Sequence, residues 1–152
     1  MSAVFVTFDV LGHPEPAGSK KAVPSRGGAR FAQVIDANPK AAGWKKVVAQ
    51  SARGAMLQSR LQIMEGPVFV EMVFRRARPV SHVKKNGTLT LEGLRHEFPA
   101  TKPDVLKLAR GVEDACTGIV WVDDAQIVKE VLRKQYAEVG DVEGVTVKVV
   151  PL

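Results

Sequence analysis

The chain has 152 residues, enough for one domain with a single core, and 45% of them are hydrophobic. It has no apolar stretch long enough for a membrane span, no signal peptide and one cysteine, so we expect a cytoplasmic domain without disulfides. The net charge of +6 is uneven: residues 1–102 carry 16 Lys and Arg against 7 acids, and residues 103–152 carry 6 against 9. A basic surface beside an acidic cluster suits DNA and a metal ion, although a solvated basic surface would give the same count.

The first two predicted strands enclose a basic segment. Residues 4–11 carry apolar side chains on both faces, which predicts a central strand. Residues 12–19 predict a loop, and residues 31–35 predict a short strand that forms a hairpin with the first. Four basic residues near Gly27 and Gly28 predict a mobile arm that contacts phosphates: Lys20, Lys21, Arg26 and Arg30. A disordered loop that binds no ligand would show the same pattern.

A helix is predicted from about residue 38 to residue 60. Asn38 is a favourable N-cap, and Pro39 suits the first helical position. We assign Trp44 to the core or to a subunit interface rather than to base stacking. The apolar stripe of the helix consists of Trp44, Val47, Val48, Ser51, Ala55 and Met56.

The next strand, residues 66–75, has one fully apolar face and should pack against the helices. Residues 77–100 then form a long connection, with a hairpin turn expected at Asn86 and Gly87. A connection of this length is usually functional or disordered, and its position before Lys102 would let it gate a site there. The basic residues of this region that we expect to contact DNA are Arg76, Lys84 and Lys85.

The second helix is predicted to begin near Asp104 and to end at Thr117 and Gly118. Its apolar face comprises Val105, Leu108, Ala109, Val112 and Cys116, and its other face carries Asp104, Lys107, Arg110 and Asp114. An apolar run, residues 119–122, leads to the adjacent pair Asp123 and Asp124. Strands are predicted over residues 126–136 and 145–150.

The aspartates on and after this helix are candidates for a metal site. Neighbouring carboxylates raise a pKa or recruit a cation, and Mg²⁺ prefers carboxylate oxygens. Each piece has an ordinary interpretation as well. Asp104 alone would serve as a helix cap, and Asp123 with Asp124 would serve as a turn.

The segment from Lys102 to Ile127 resembles the signature of the RusA-type Holliday-junction resolvases. Leu106 stands in place of the family's second aspartate, Lys107 in place of its asparagine and Arg110 in place of its lysine. The positions that carry the resemblance are Lys102-Pro103-Asp104, Asp114-Ala115, Gly118, Trp121, Asp123-Asp124 and Gln126-Ile127.

This resemblance implies a small homodimeric endonuclease of phage or bacterial type that cuts four-way DNA junctions with Mg²⁺, or with Mn²⁺ as an alternative. It implies Asp104 and Asp124 as metal ligands, with Asp123 assisting. Arg110 would contact phosphate. Lys102 and Lys107 would bind DNA together with the other basic residues named above. Asp114 is either a substitute ligand or the ion-pair partner of Arg110, one helical turn away.

The fold class that we predict is α/β of the α+β type, in one domain spanning residues 1–152. A single mixed sheet of four to five strands would pack against two main helices. Since Leu106 removes one expected ligand, a protein that binds junctions without cutting them is the alternative to a nuclease. A third hypothesis is a structural protein whose acids form only a cap and a turn.

Overall fold

The computed structural model describes residues 4–18, 20–24 and 32–152, with the backbone alone for residues 20–24 and 32–36. Within these residues one four-stranded sheet packs against two long helices, and this confirms the predicted fold class. The strands are β1 Val6–Leu11, β2 Lys20–Pro24, β3 Ala32–Asp36, β4 Val68–Arg76, β5 Ile127–Tyr136 and β6 Gly144–Pro151. The helices are α1 Ala41–Gln58, α2 Leu91–Arg95 and α3 Val105–Cys116.

The main sheet has the strand order β1-β6-β4-β5, and only β4 and β5 run parallel. As predicted, one face of β4 is fully buried, because it carries Val68, Val70, Met72 and Phe74. The core also takes in Trp44 and Val48 of α1 and Leu108 and Val112 of α3. Each fully buried apolar side chain contributes about 1.5–3 kcal/mol, so α3 is held firmly against the sheet beside β5.

Two expectations about the amino-terminal strands were wrong. Strand β1 lies at an edge of the main sheet, and Leu11 on its outer face is 61% exposed. Apolar residues on both faces therefore did not indicate a central position. Strand β3 pairs with β2 rather than with β1, because antiparallel pairing of Lys20–Pro24 satisfies the backbone groups of both segments. The predicted basic arm thus begins as a strand at Lys20 and Lys21, while Arg26 and Arg30 lie outside the described residues.

The connection over residues 77–100 is folded. It contains α2 and a 3-10 turn, Val80–His82, and the expected turn at Asn86 and Gly87 is confirmed by a hydrogen bond from the Gly87 N–H to the Lys84 carbonyl of 2.9 Å. Gly87 has a φ of +86°, which favours glycine at this position. The segment forms a compact lobe beside the carboxyl end of β4.

Helix α1 begins at Ala41, two residues after the predicted first helical residue, Pro39. Asn38 bonds the backbone before the helix, accepting from the Lys40 N–H at 3.1 Å and donating to the Pro16 carbonyl at 2.9 Å. Trp44 is buried in the core, as expected, whereas Val47 of the predicted stripe is exposed. None of the helices described is long and apolar enough to cross a bilayer.

Candidate active site

Asp104 occupies the N-cap position of α3, but its side chain makes no capping hydrogen bond. It is exposed and lines a cavity of about 260 Å³ together with Lys102 and Lys107. Lys134 of β5 holds this segment in place, since its Nζ donates to the carbonyls of Thr101 at 2.6 Å and Pro103 at 2.9 Å. The carboxylate of Asp104 is therefore positioned by its backbone and remains available to a ligand.

The turn after α3 explains why one aspartate of the adjacent pair differs from the other. The side chain of Asp123 accepts from the Ala125 N–H at 2.8 Å and caps a short 3-10 helix, Asp124–Gln126. Gln126 accepts at Oε1 from the Val122 and Asp123 N–H groups at 2.8 and 2.9 Å. The carboxylate of Asp124 makes no hydrogen bond or ion pair with any described residue and is exposed, although the Asp124 carbonyl accepts from the Ile127 N–H.

Gln126 also anchors this turn to the rest of the fold. Its Nε2 donates to the carbonyls of Met64 and Gly66, both at 2.8 Å, just before β4. Gln126 was predicted as part of the family signature and as the start of a strand, but its anchoring role was not recognised. The signal was present in the sequence, because Asp followed three residues later by Gln is the pattern of a capping box.

Two glutamates that the sequence analysis did not single out lie beside Asp124. Burial, the contact with Glu130, and the charges of Glu130 and Asp124 together raise the pKa of Glu113 to about 8, although Arg110 opposes them. Oε1 of Glu130 is buried and has no hydrogen-bond donor among the described residues. A proton on Glu113 or a cation would satisfy that oxygen. Glu113 of α3 and Glu130 of β5 thus add two carboxyl groups to the surroundings of Asp124, and the Glu113 group is mostly protonated near neutral pH.

The structure places Asp104 and this acidic cluster towards different ends of α3. Glu113 follows Asp104 by nine residues, which is roughly 13 Å along a helix axis. The described residues contain no group of three or more His, Cys, Asp or Glu side chains arranged to hold a metal ion. An ion shared by Asp104 and Asp124 stays a prediction.

Asp114 faces α1, where its Oδ2 lies 3.1 Å from Nζ of Lys45. Among the described residues Arg110 does not form the ion pair with Asp114 that was one of the two alternatives, and its charge acts on Glu113 instead. Leu106, at the position of the family's second aspartate, is 70% exposed. Of the predicted ligands, the side chains of Asp123 and Asp114 have partners, and in the part of the chain that the structure describes the carboxylates of Asp104 and Asp124 have none.

The other basic residues that were predicted to contact DNA lie in different surroundings. Nη1 of Arg76 donates to the Pro14 carbonyl at 3.3 Å, while Lys84 and Lys85 are exposed at the turn of the 77–100 lobe. Side-chain positions are not described for Lys20 and Lys21, so their predicted contacts with DNA stay predictions.

Comparison with known proteins agrees with these features. The model of the family described as "Endodeoxyribonuclease RusA" matches residues 14–149. The "Uncharacterized protein YqaN" of Bacillus subtilis (strain 168) is 33% identical to this chain over 141 residues, which are 91% of this chain and 92% of that protein. Since the family match covers most of the sequence, this chain belongs to the RusA endodeoxyribonuclease family.

Proposed function

We propose that this protein is a Mg²⁺-dependent endodeoxyribonuclease that cuts four-way DNA junctions and acts as a homodimer. Membership of the RusA family supports the reaction class and the substrate. Within the site, one observation carries most weight. The carboxylate of Asp124 has no partner among the described residues, although it lies in a turn whose neighbouring side chains, Asp123 and Gln126, are both hydrogen-bonded.

The oxygen donors fit a hard divalent cation. Mg²⁺ keeps several waters and is commonly held by one or two carboxylates together with substrate phosphates, so it needs no complete cage of protein ligands. Asp124 and Asp104 offer exposed carboxylates, and the buried, unpartnered Oε1 of Glu130 marks a place where positive charge would be favourable. When bound, such an ion would polarise a phosphoryl group and supply hydroxide near neutral pH.

The protein's own side chains would orient the scissile strand. Lys102 and Lys107 flank Asp104 and would hold phosphate oxygens by charge. Arg110, exposed one turn before Glu113, would contact phosphate in a bidentate manner that lysine cannot reproduce. Lys134 keeps the Asp104 segment in position through its two carbonyl contacts.

The test is cleavage of a synthetic four-way junction in the presence of Mg²⁺. Asp124→Asn should lose cleavage, and the matched variant Asp141→Asn, in an exposed turn away from α3, should retain it. Equal cleavage by wild type and Asp124→Asn would remove Asp124 from its assigned role. Loss in both variants would point to a general effect of aspartate replacement.

A second candidate is a protein of the same family that binds junctions without cutting them. The observation that favours it is Leu106, whose exposed side chain provides no ligand where the family has an aspartate. Tight, salt-sensitive junction binding without cleavage in Mg²⁺ or Mn²⁺ would select this function.

A further inference from the structure

Four basic side chains converge on a cavity beside the start of α3. The cavity has a volume of about 210 Å³, and among the described residues no carboxylate lines it. Its cationic lining residues come from the end of β4, the segment before α3 and strand β5: Arg76, Arg78, Lys102 and Lys134. A small enclosure with this charge is a favourable place for an anion.

Two of these cations are fixed by neutral groups. Nη1 of Arg78 donates to the carbonyls of Gly93 and His96, both at 3.1 Å, and its guanidinium lies 4.4 Å from the centroid of the Tyr136 ring. Nζ of Lys134 bonds only backbone carbonyls. Carbonyls and an aromatic ring orient a cation without cancelling its charge, so the charge remains available to a ligand.

No ion pair neutralises three of these cations. In the part of the chain that the structure describes, Arg78, Lys102 and Lys134 form no ion pair, although Glu97 and Glu138 share a neighbouring cavity with Arg78 and Asp104 shares another with Lys102. Arg76 is partly offset, since its charge acts on Glu143. The lining of this cavity therefore carries an excess of positive charge, which suits the one negative charge of a phosphodiester.

We propose that this cavity binds one backbone phosphate of the DNA substrate, adjacent to the site at Asp104. Lys102 connects the two, because it lines both this cavity and the neighbouring cavity that contains Asp104. The Arg78 fork would bind phosphate oxygens, with Tyr136 as a positioning residue beneath it. This inference rests on the proposed function for the identity of the ligand as DNA.

The test measures binding of a fluorescently labelled four-way junction in EDTA, where no cleavage occurs, by anisotropy at several NaCl concentrations. Lys102→Gln and Arg76→Gln should each weaken binding several-fold. The double variant should lower the slope of log K against log salt by about 0.9, the value for one phosphate contact. Lys46→Gln, which removes an exposed lysine on α1 far from the cavity lining, is the matched control and should bind as wild type does.

Each outcome is informative. The proposal would be overturned if the double variant kept the affinity and slope of wild type while its circular dichroism and melting temperature were also unchanged. A decrease of about 1.8 in the slope of log K against log salt would indicate two separate phosphates rather than one. Inorganic phosphate is titrated as a second probe. If it binds in the cavity while the variants bind DNA normally, the cavity takes a free anion and the DNA assignment is wrong. If wild type never cleaves but the slope falls as expected, the proposed nuclease activity fails and the phosphate site stands.

Discussion

Glu113 offers a test of the acidic cluster that does not depend on activity. The pKa of this group rises from 4.5 to about 8 in the folded protein through burial and the neighbouring acids. The folded state then binds a proton more tightly than the unfolded state between these two pH values, so stability should fall as pH rises through that window. At about 1.4 kcal/mol per tenfold change in proton affinity, the loss of stability across this window is at most about 5 kcal/mol. Because Glu113 is only partly buried, we expect roughly 1–2 kcal/mol.

The perturbation is Glu113→Gln, whose amide mimics the protonated acid and can still donate to Glu130. Urea unfolding in EDTA should show similar stability for variant and wild type near pH 5, and a variant more stable by roughly 1–2 kcal/mol at pH 8.5. Glu138→Gln, at an exposed turn, is the control and should show no such pH dependence. A difference between Glu113→Gln and wild type that stays constant from pH 5 to pH 8.5 would refute the reasoning.

Three further predictions concern other parts of the molecule. Leu106→Asp should raise Mg²⁺-dependent junction cleavage about tenfold, equivalent to 1.4 kcal/mol, whereas Leu57→Asp, at a leucine 79% exposed on α1, should not. Gln126→Ala should lower the free energy of unfolding by about 1–3 kcal/mol and slow cleavage, because it releases the turn that carries Asp124; an unchanged melting temperature would contradict this. Burial raises the pKa of Glu143, but the hydrogen bonds from the Ala77 N–H and His13 lower it by a larger amount, so the pKa is lower than usual. Glu143→Gln should therefore cost about 1 kcal/mol at pH 7, and urea unfolding should show that cost disappearing as pH falls below 4.5.

Local pattern was sufficient to predict the elements that carry the site. The apolar spacing of α3 and the alternation of β4 each specify a buried face, and both predictions were confirmed. Strand partners were not predictable in this way, because apolar side chains on β1 do not reveal which edges of the strand are paired. The same limit applies to Lys45, whose ion pair with Asp114 joins residues 69 positions apart.

The acidic cluster was missed for a related reason. Glu113 and Glu130 look like solvated surface residues in sequence, because each is a charged residue in an element whose other charged side chains mostly face solvent. Their contact arises only when α3 packs beside β5, and the resulting burial of Glu113, together with Glu130 and Asp124 beside it, raises the pKa of Glu113. Capping motifs, by contrast, are local, so the Asp123 and Gln126 pattern could have been recognised from spacing alone.

The leucine at position 106 leaves another carboxyl group on the same face of α3. Glu113 follows Leu106 by seven residues, which returns it to nearly the same direction around the helix, about two turns further on. This carboxyl group lies away from Asp104 and towards Asp124, and with a pKa of about 8 it is mostly protonated near neutral pH. Lys102 and Lys107 remain at the start of the helix. Asp104 and Glu113 are separated by roughly 13 Å of helix, close to the rise of four base pairs along the axis of a DNA duplex. A DNA strand lying along α3 would therefore meet the basic and the acidic side chains of the protein at different phosphates. This separation is the physical reason for testing binding through Lys102 and cleavage through Asp124 as independent properties.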